Sequence, residues 1–189
     1  MSGMNDALLF LISTLFDLYL FVLVIRVLLA YAGANYFDPI TQFIVRCTDL
    51  LVKPVRRIIP NVRGVELSTL LLIIVIDFVK FMLISTLTTS ILTPAGMIII
   101  ALADTIKMFL QTMLYAIILQ AILSWVQSNS PANFLLYKIT APVLRPIQRV
   151  CPVIGGMDIS AIPAILLLQL LIILLVNPLM QAAYGVSLG

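Results

Sequence analysis

Long apolar runs alternate with short polar segments along this chain, and the apolar runs have the length of membrane crossings. Residues 8–34 are apolar apart from the charges of Asp17 and Arg26. At about 1.5 Å per helical residue they exceed a hydrocarbon core of about 30 Å. Residues 67–92, 98–126 and 159–179 are the other three runs. The second holds Asp77 and Lys80, the third holds Asp104 and Lys107 near its start, and the fourth has no ionised residue but carries Gln169. Thr93, Pro94, Ala95 and Gly96 predict a tight uncharged turn between the second and third runs.

The two polar segments carry a different pattern. After a break at residues 35–38, Asp38-Pro39 reads as an N-cap followed by a first-turn proline. From there Ile40, Phe43, Ile44, Cys47, Leu50 and Leu51 recur at helical spacing, while Gln42, Arg46, Asp49 and Lys53 occupy the other side. That is an amphipathic helix of about 14 residues, too short to span, whose apolar stripe belongs in the headgroup boundary or against the bundle. Pro54 and Pro60 are expected to end it. In the second segment Ser130-Pro131 repeats the cap, Phe134, Leu135 and Ile139 give a weaker stripe, and Pro142 and Pro146 are expected to stop the helix.

The similarity of the two segments extends to individual residues. Lys53 to Ser68 reads KPVRRIIPNVRGVELS and Arg145 to Ser160 reads RPIQRVCPVIGGMDIS. A shift of 92 pairs Lys53 with Arg145, Pro54 with Pro146, Arg57 with Arg149, Pro60 with Pro152, Gly64 with Gly156, Glu66 with Asp158 and Ser68 with Ser160. The same shift pairs Pro39 with Pro131 and Thr48 with Thr140, and a shift of 94 pairs Arg26–Tyr31 with Gln120–Trp125. The chain is therefore an internal repeat, 1–92 and 93–189, each unit a crossing, a basic proline-rich connector (35–66 and 127–158) and a second crossing.

These residues resemble the YggT (YlmG) family of small bacterial and plastid membrane proteins. The family's repeats carry an R-x-L-L-S-W-like segment and a P-x-R-R-x-x-P-x-x-G-G-x-D-x-S-like connector, and residues 17–83 and 111–178 are covered. The first copy has Arg63-Gly64 where the second has Gly155-Gly156, and Gln120 stands where the first has Arg26. The resemblance implies a role in tolerance of osmotic or ionic stress, in cell division or, in plastids, in assembly of membrane complexes.

Composition agrees with a bilayer protein: 62% of the 189 residues are apolar, 10% are charged and mean hydropathy is +1.19. With no histidine, the usual general base and zinc ligand are missing, and Cys47 and Cys151 lie in separate connectors, so no enzyme, cofactor or metal site is read. Residues 1–20 have no positive n-region and no cleavage site, so no signal peptide is read. Arg46, Lys53, Arg56, Arg57 and Arg63 lie in the first connector and Lys138, Arg145 and Arg149 in the second. The positive-inside rule then places both connectors in the cytoplasm and both termini outside an inner membrane. The expected fold is an all-α membrane protein with four transmembrane helices in two parallel repeats, related by a pseudo-two-fold axis along the membrane normal, with two amphipathic cytoplasmic connector helices.

Six intramembrane charges demand partners: Asp17, Arg26, Asp77, Lys80, Asp104 and Lys107. Asp77 with Lys80 and Asp104 with Lys107 are i,i+3 neighbours that can pair locally, and an isolated pair of that kind tolerates exchange of its charges. Asp17 and Arg26 are about 13 Å apart along one helix, so each needs a partner on another. An ion or proton path along Asp17, Asp77 and Lys80 competes with a set of register-fixing salt bridges. Arg57 and Arg149, the strictly repeated charges, are placed to reach a lipid phosphate or the carboxylates of Glu66 and Asp158, and the acid-x-serine element is expected to cap the following crossing. Tyr31 and Trp125 read as interface anchors. No aromatic residues interleave the basic ones as nucleic-acid binding would want. Anionic phospholipids, membrane-protein partners and further copies of the chain are the candidate ligands. A scaffold or assembly factor is the leading reading, and a channel or transporter at the repeat interface or in an oligomer is its competitor.

Overall fold

A computed structural model describes residues 2–34, 38–59, 66–88, 93–125, 131–149 and 160–188. They form α1 (Ser2–Tyr31), α2 (Pro39–Ile58), α3 (Leu67–Thr88), α4 (Pro94–Trp125), α5 (Pro131–Gln148), α6 (Ala161–Leu171) and α7 (Asn177–Leu188), with a π-helical segment Ile172–Val176 joining the last two. Four stretches are long and apolar enough to cross a membrane: Gly3–Tyr31, Leu67–Thr88, Pro94–Ser124 and Ala161–Val186. The protein is thus an all-helical, multi-pass membrane protein, with α2 and α5 as the two shorter connector helices.

The helix ends follow local chemistry. Asp38 caps α2 as expected, its Oδ2 accepting from the Thr41 N–H at 3.2 Å, with Pro39 in the first turn. The residues read as a turn at 94–96 are the first turn of α4. Thr93 takes the cap position, its Oγ1 accepting from the Gly96 N–H at 3.2 Å and its carbonyl from Met97 at 2.9 Å. α1 closes on Gly33 at φ +60, where the N–H groups of Gly33 and Ala34 return to Ala30 and Leu29, a left-handed cap that favours glycine.

Three prolines expected to stop helices lie inside them instead: Pro54 in α2, Pro142 and Pro146 in α5. Each has a backbone angle the helix already uses and forfeits one hydrogen bond. All three face outward, and α2 recovers beyond Pro54, with Ile59 N–H donating to Val55 O at 3.0 Å. α2 therefore runs to 20 residues. Pro60 and Pro152 lie outside the described residues. The last crossing continues past residue 179 to Val186 and its helix to Leu188 through Pro178, with the π segment Ile172–Val176 ending two residues before that proline.

Packing departs from two-fold symmetry. α3 lies along both α1 and α4, and α4 packs on α3, α5, α6 and α7. A two-fold would match the α3–α4 contact with one between α6–α7 and α1, but α1 makes no extended contact with either among the described residues. The two units follow one another like links, and the pair is left open at both ends. One apolar cluster joins Leu20, Leu23 and Val24 of α1 to Ile73 of α3, Val52 of α2 and Ile139 of α5. A second joins Ile117 of α4 to Leu144 of α5 and to Ala161, Ala164 and Leu168 of α6. Lipid is as apolar as these side chains, so close contact at small residues such as Ala164, and not burial from water, holds this seam.

α2 shows which face of the connector meets the bundle. Thr41, Ile44, Thr48 and Val52 are buried, whereas Ile40, Phe43, Cys47, Leu50 and Leu51 are exposed. Most of the apolar stripe therefore points outward, and a threonine-bearing face seats on the crossings.

Candidate functional site: two buried charge centres

The threonine face of α2 receives a buried arginine. Arg26, with a side chain 4% exposed, leaves α1 and donates through Nε to Glu66 Oε2 at 2.8 Å. Its Nη1 donates to Thr48 Oγ1 at 2.6 Å and to Asp49 Oδ1 at 2.9 Å. Thr69 Oγ1 donates to the same Glu66 oxygen at 2.7 Å, and Lys53 closes on Asp49 Oδ2 at 3.0 Å. One guanidinium thus ties the crossings α1 and α3 to the connector helix α2, a task suited to a fork with five donors. Burial on its own would raise the Asp49 carboxyl, but the hydrogen bonds and charges of Arg26 and Lys53 outweigh it and hold it below the usual carboxylate range. Its contribution to stability is therefore present above the unfolded carboxylate pKa and lost as pH falls through the lowered folded value.

Arg26 accordingly finds its partners off its own helix, as its position requires. Glu66 is occupied by Arg26 and Thr69 and not by Arg57, which is exposed on α2. Glu66 also takes the cap position of α3, its carbonyl accepting from Thr69 and Leu70, while Ser68 sits inside the helix. In the second unit Ser160 holds the cap position without a capping side-chain hydrogen bond. Gly64, Gly156 and Asp158 lie outside the described residues. Lys53, Arg145 and Arg149 are exposed, as is Pro146.

Thr48, Asp49 and Thr69 complete the centre without having been singled out by sequence. The one hint was the repeat, which pairs Thr48 with Thr140. In the second unit Thr140 Oγ1 donates to Gln120, the counterpart of Arg26, and returns to Leu136 O at 2.9 Å just as Thr48 returns to Ile44 O at 2.7 Å. The geometry repeats while the charge does not, because Gln120 replaces Arg26 and Ala141 replaces Asp49, and Ala161 stands in place of Thr69.

The second centre lies deeper in the bundle. Lys80, with a side chain 4% exposed, reaches Asp17 Oδ1 on α1 at 3.1 Å, Asp77 Oδ1 on α3 at 2.8 Å, and Asp104 on α4. Asp77 Oδ1 lies off the hydrogen-bonding direction of that ammonium, and its Oδ2 accepts from Thr105 Oγ1 at 3.3 Å. The expected Asp77–Lys80 pair is present, but Asp104 turns to Lys80 and not to Lys107. Three carboxylates converge on one ammonium, about 20 Å along α3 from its connector end.

A cleft of about 240 Å³ separates the units near the connectors, walled by Ile25 and Leu28 of α1, Leu119 of α4 and Leu135 of α5 among others. Apart from Thr112 and Tyr115 it offers no polar group to orient a solute.

The CCB3/YggT family model matches this chain twice, over residues 5–87 and 99–179. The chain belongs to the CCB3/YggT family. An uncharacterized protein of Vibrio alginolyticus is 37% identical over 163 residues, 85% of this chain and 88% of its own length. The Escherichia coli K12 protein YggT is 34% identical over 171 residues, 89% of this chain and 87% of its own. An uncharacterized Pseudomonas aeruginosa protein is 37% identical over 194 residues, 95% and 93% of the two chains. No solved structure matches. The first matched region contains all of the Arg26 network together with Asp17, Asp77 and Lys80, and Asp104 comes from the second.

Proposed function

We propose that this CCB3/YggT protein is a non-enzymatic scaffold or assembly factor of the bacterial inner membrane, supporting envelope stress tolerance, membrane-complex assembly or cell division. The observation that carries the reading is the Arg26 centre, which clamps α2 to two crossings. An orientation signal needs only positive charge, whereas a clamped connector presents Arg46, Lys53, Arg56 and Arg57 as a fixed basic surface to headgroups or an acidic partner. The connectors are read as cytoplasmic. A membrane-impermeant thiol reagent should then leave the free, exposed Cys47 unlabelled in intact spheroplasts and label it in inverted vesicles. Labelling from outside reverses the topology.

The transporter reading draws support from the surplus of carboxylates around Lys80. Liposomes distinguish the two. The scaffold reading expects no monovalent-cation flux above protein-free controls, and a robust flux abolished by Asp77→Asn would sink it.

A further inference from the structure

The open repeat leaves two complementary faces without partners. Across the α3–α4 junction Asp77 accepts from Thr105, and antiparallel helical spacing sets positions 74 and 108 opposite one another one turn toward the connectors. The shift of 92 carries positions 74 and 77 onto Leu166 and Gln169, which share one face of the last crossing with Ile162 and Ile173, and all four are exposed. The shift of 94 carries the α4 side, Thr105 and Met108, onto Leu11 and Thr14 of α1, both exposed as well. Lipid covers an apolar face at no cost, so leucines alone would prove nothing. Gln169 is different: it is the counterpart of buried Asp77, it lies about 12 Å into its crossing, and it is exposed with no side-chain hydrogen bond among the described residues. An amide facing hydrocarbon has given up water and received nothing in return.

We propose that the α6–α7 face of one copy packs on the α1 face of the next, remaking between molecules the α3–α4 junction within the molecule, with Leu166 set against Thr14 and Gln169 opposite Leu11, one turn from the Thr14 hydroxyl. The helices run antiparallel there, as α3 and α4 do, so both copies keep one orientation in the membrane. The contact joins two different surfaces. It therefore propagates head to tail into a ring or a row and does not stop at a two-fold dimer. The inference uses the repeat and its open ends and is independent of the scaffold reading.

Disulfide trapping in proteoliposomes tests it, in a chain carrying Cys47→Ser and Cys151→Ser. Thr14→Cys and Leu166→Cys in one molecule should give a ladder of dimers, trimers and higher species on oxidation. The two single variants mixed should give dimers only, and each alone none. Gln169→Leu, which leaves the interior of the bundle untouched, should lower the cross-linked fraction about threefold. Self-cross-linking of either single variant would mean a two-fold contact and overturn the proposal. Absence of any cross-link, with both thiols reactive to a membrane-permeant maleimide, would overturn it as well. Unchanged trapping in Gln169→Leu would remove Gln169 from the interface.

Discussion

Replacing Arg26 with alanine is expected to remove a large share of the protein's stability. The substitution leaves Glu66, 2% exposed, without its cation and takes one of its two cations from Asp49, which keeps Lys53. Breaking a buried ion pair from one side costs about 3–5 kcal/mol, against a total stability of about 5–15 kcal/mol for a typical domain. Arg26→Lys should recover only part of this, because an ammonium on a flexible stem cannot serve Glu66, Thr48 and Asp49 from fixed directions at once. The second unit suggests the rescue. There Gln120 and Thr140 hold the same place without charge, so the combined change Arg26→Gln, Glu66→Gln and Asp49→Ala should melt closer to the parent than Arg26→Ala does. Thermal unfolding in mild detergent and the monodisperse fraction are the measurements. Equal melting of Arg26→Ala and the parent would show that the network holds nothing together.

That four crossings and two connector helices would form was legible, since runs of more than twenty apolar residues broken by capped, basic segments admit little else. The chemistry at Asp38-Pro39 was equally plain, because an N-cap acts within one turn. Local reasoning failed where the deciding partner was remote. Asp104 sits three residues from Lys107 and was read with it, yet the helix places its carboxylate at Lys80, twenty-four residues back. Glu66 looked available to the neighbouring Arg57 until α1 delivered Arg26 from forty residues away. Prolines misled for the opposite reason. Pro54, Pro142 and Pro146 are individually unfavourable in a helix, but each sits on an outward face where the unpaired carbonyl costs less. The open order of the units was invisible too, because a repeat in sequence specifies that two units are alike and not how one is set beside the other.

Lys80→Met should be at least as damaging as the loss of Arg26, for it leaves the carboxylates of Asp17, Asp77 and Asp104 facing one another at bilayer depth with no cation among them. Removing the shared partner of a buried pair costs about 3–5 kcal/mol, and mutual repulsion in a low dielectric adds to it. The three acids are not equivalent. Asp77 is 1% exposed and braced by Thr105, whereas the Asp17 side chain is 50% exposed. Asp17→Asn should therefore be the mildest change, about 1 kcal/mol or less, with Asp77→Asn and Asp104→Asn more severe. Exchanging the charges of Asp77 and Lys80 distinguishes a hub from an isolated i,i+3 pair. A pair would survive the exchange, but here it sets an aspartate at position 80 between Asp17 and Asp104 and draws the lysine back one turn. The exchange is expected to melt well below Asp77→Asn alone. If it melts above that variant, Lys80 serves Asp77 only, and the contacts to Asp17 and Asp104 contribute nothing to holding α1 and α4 against α3.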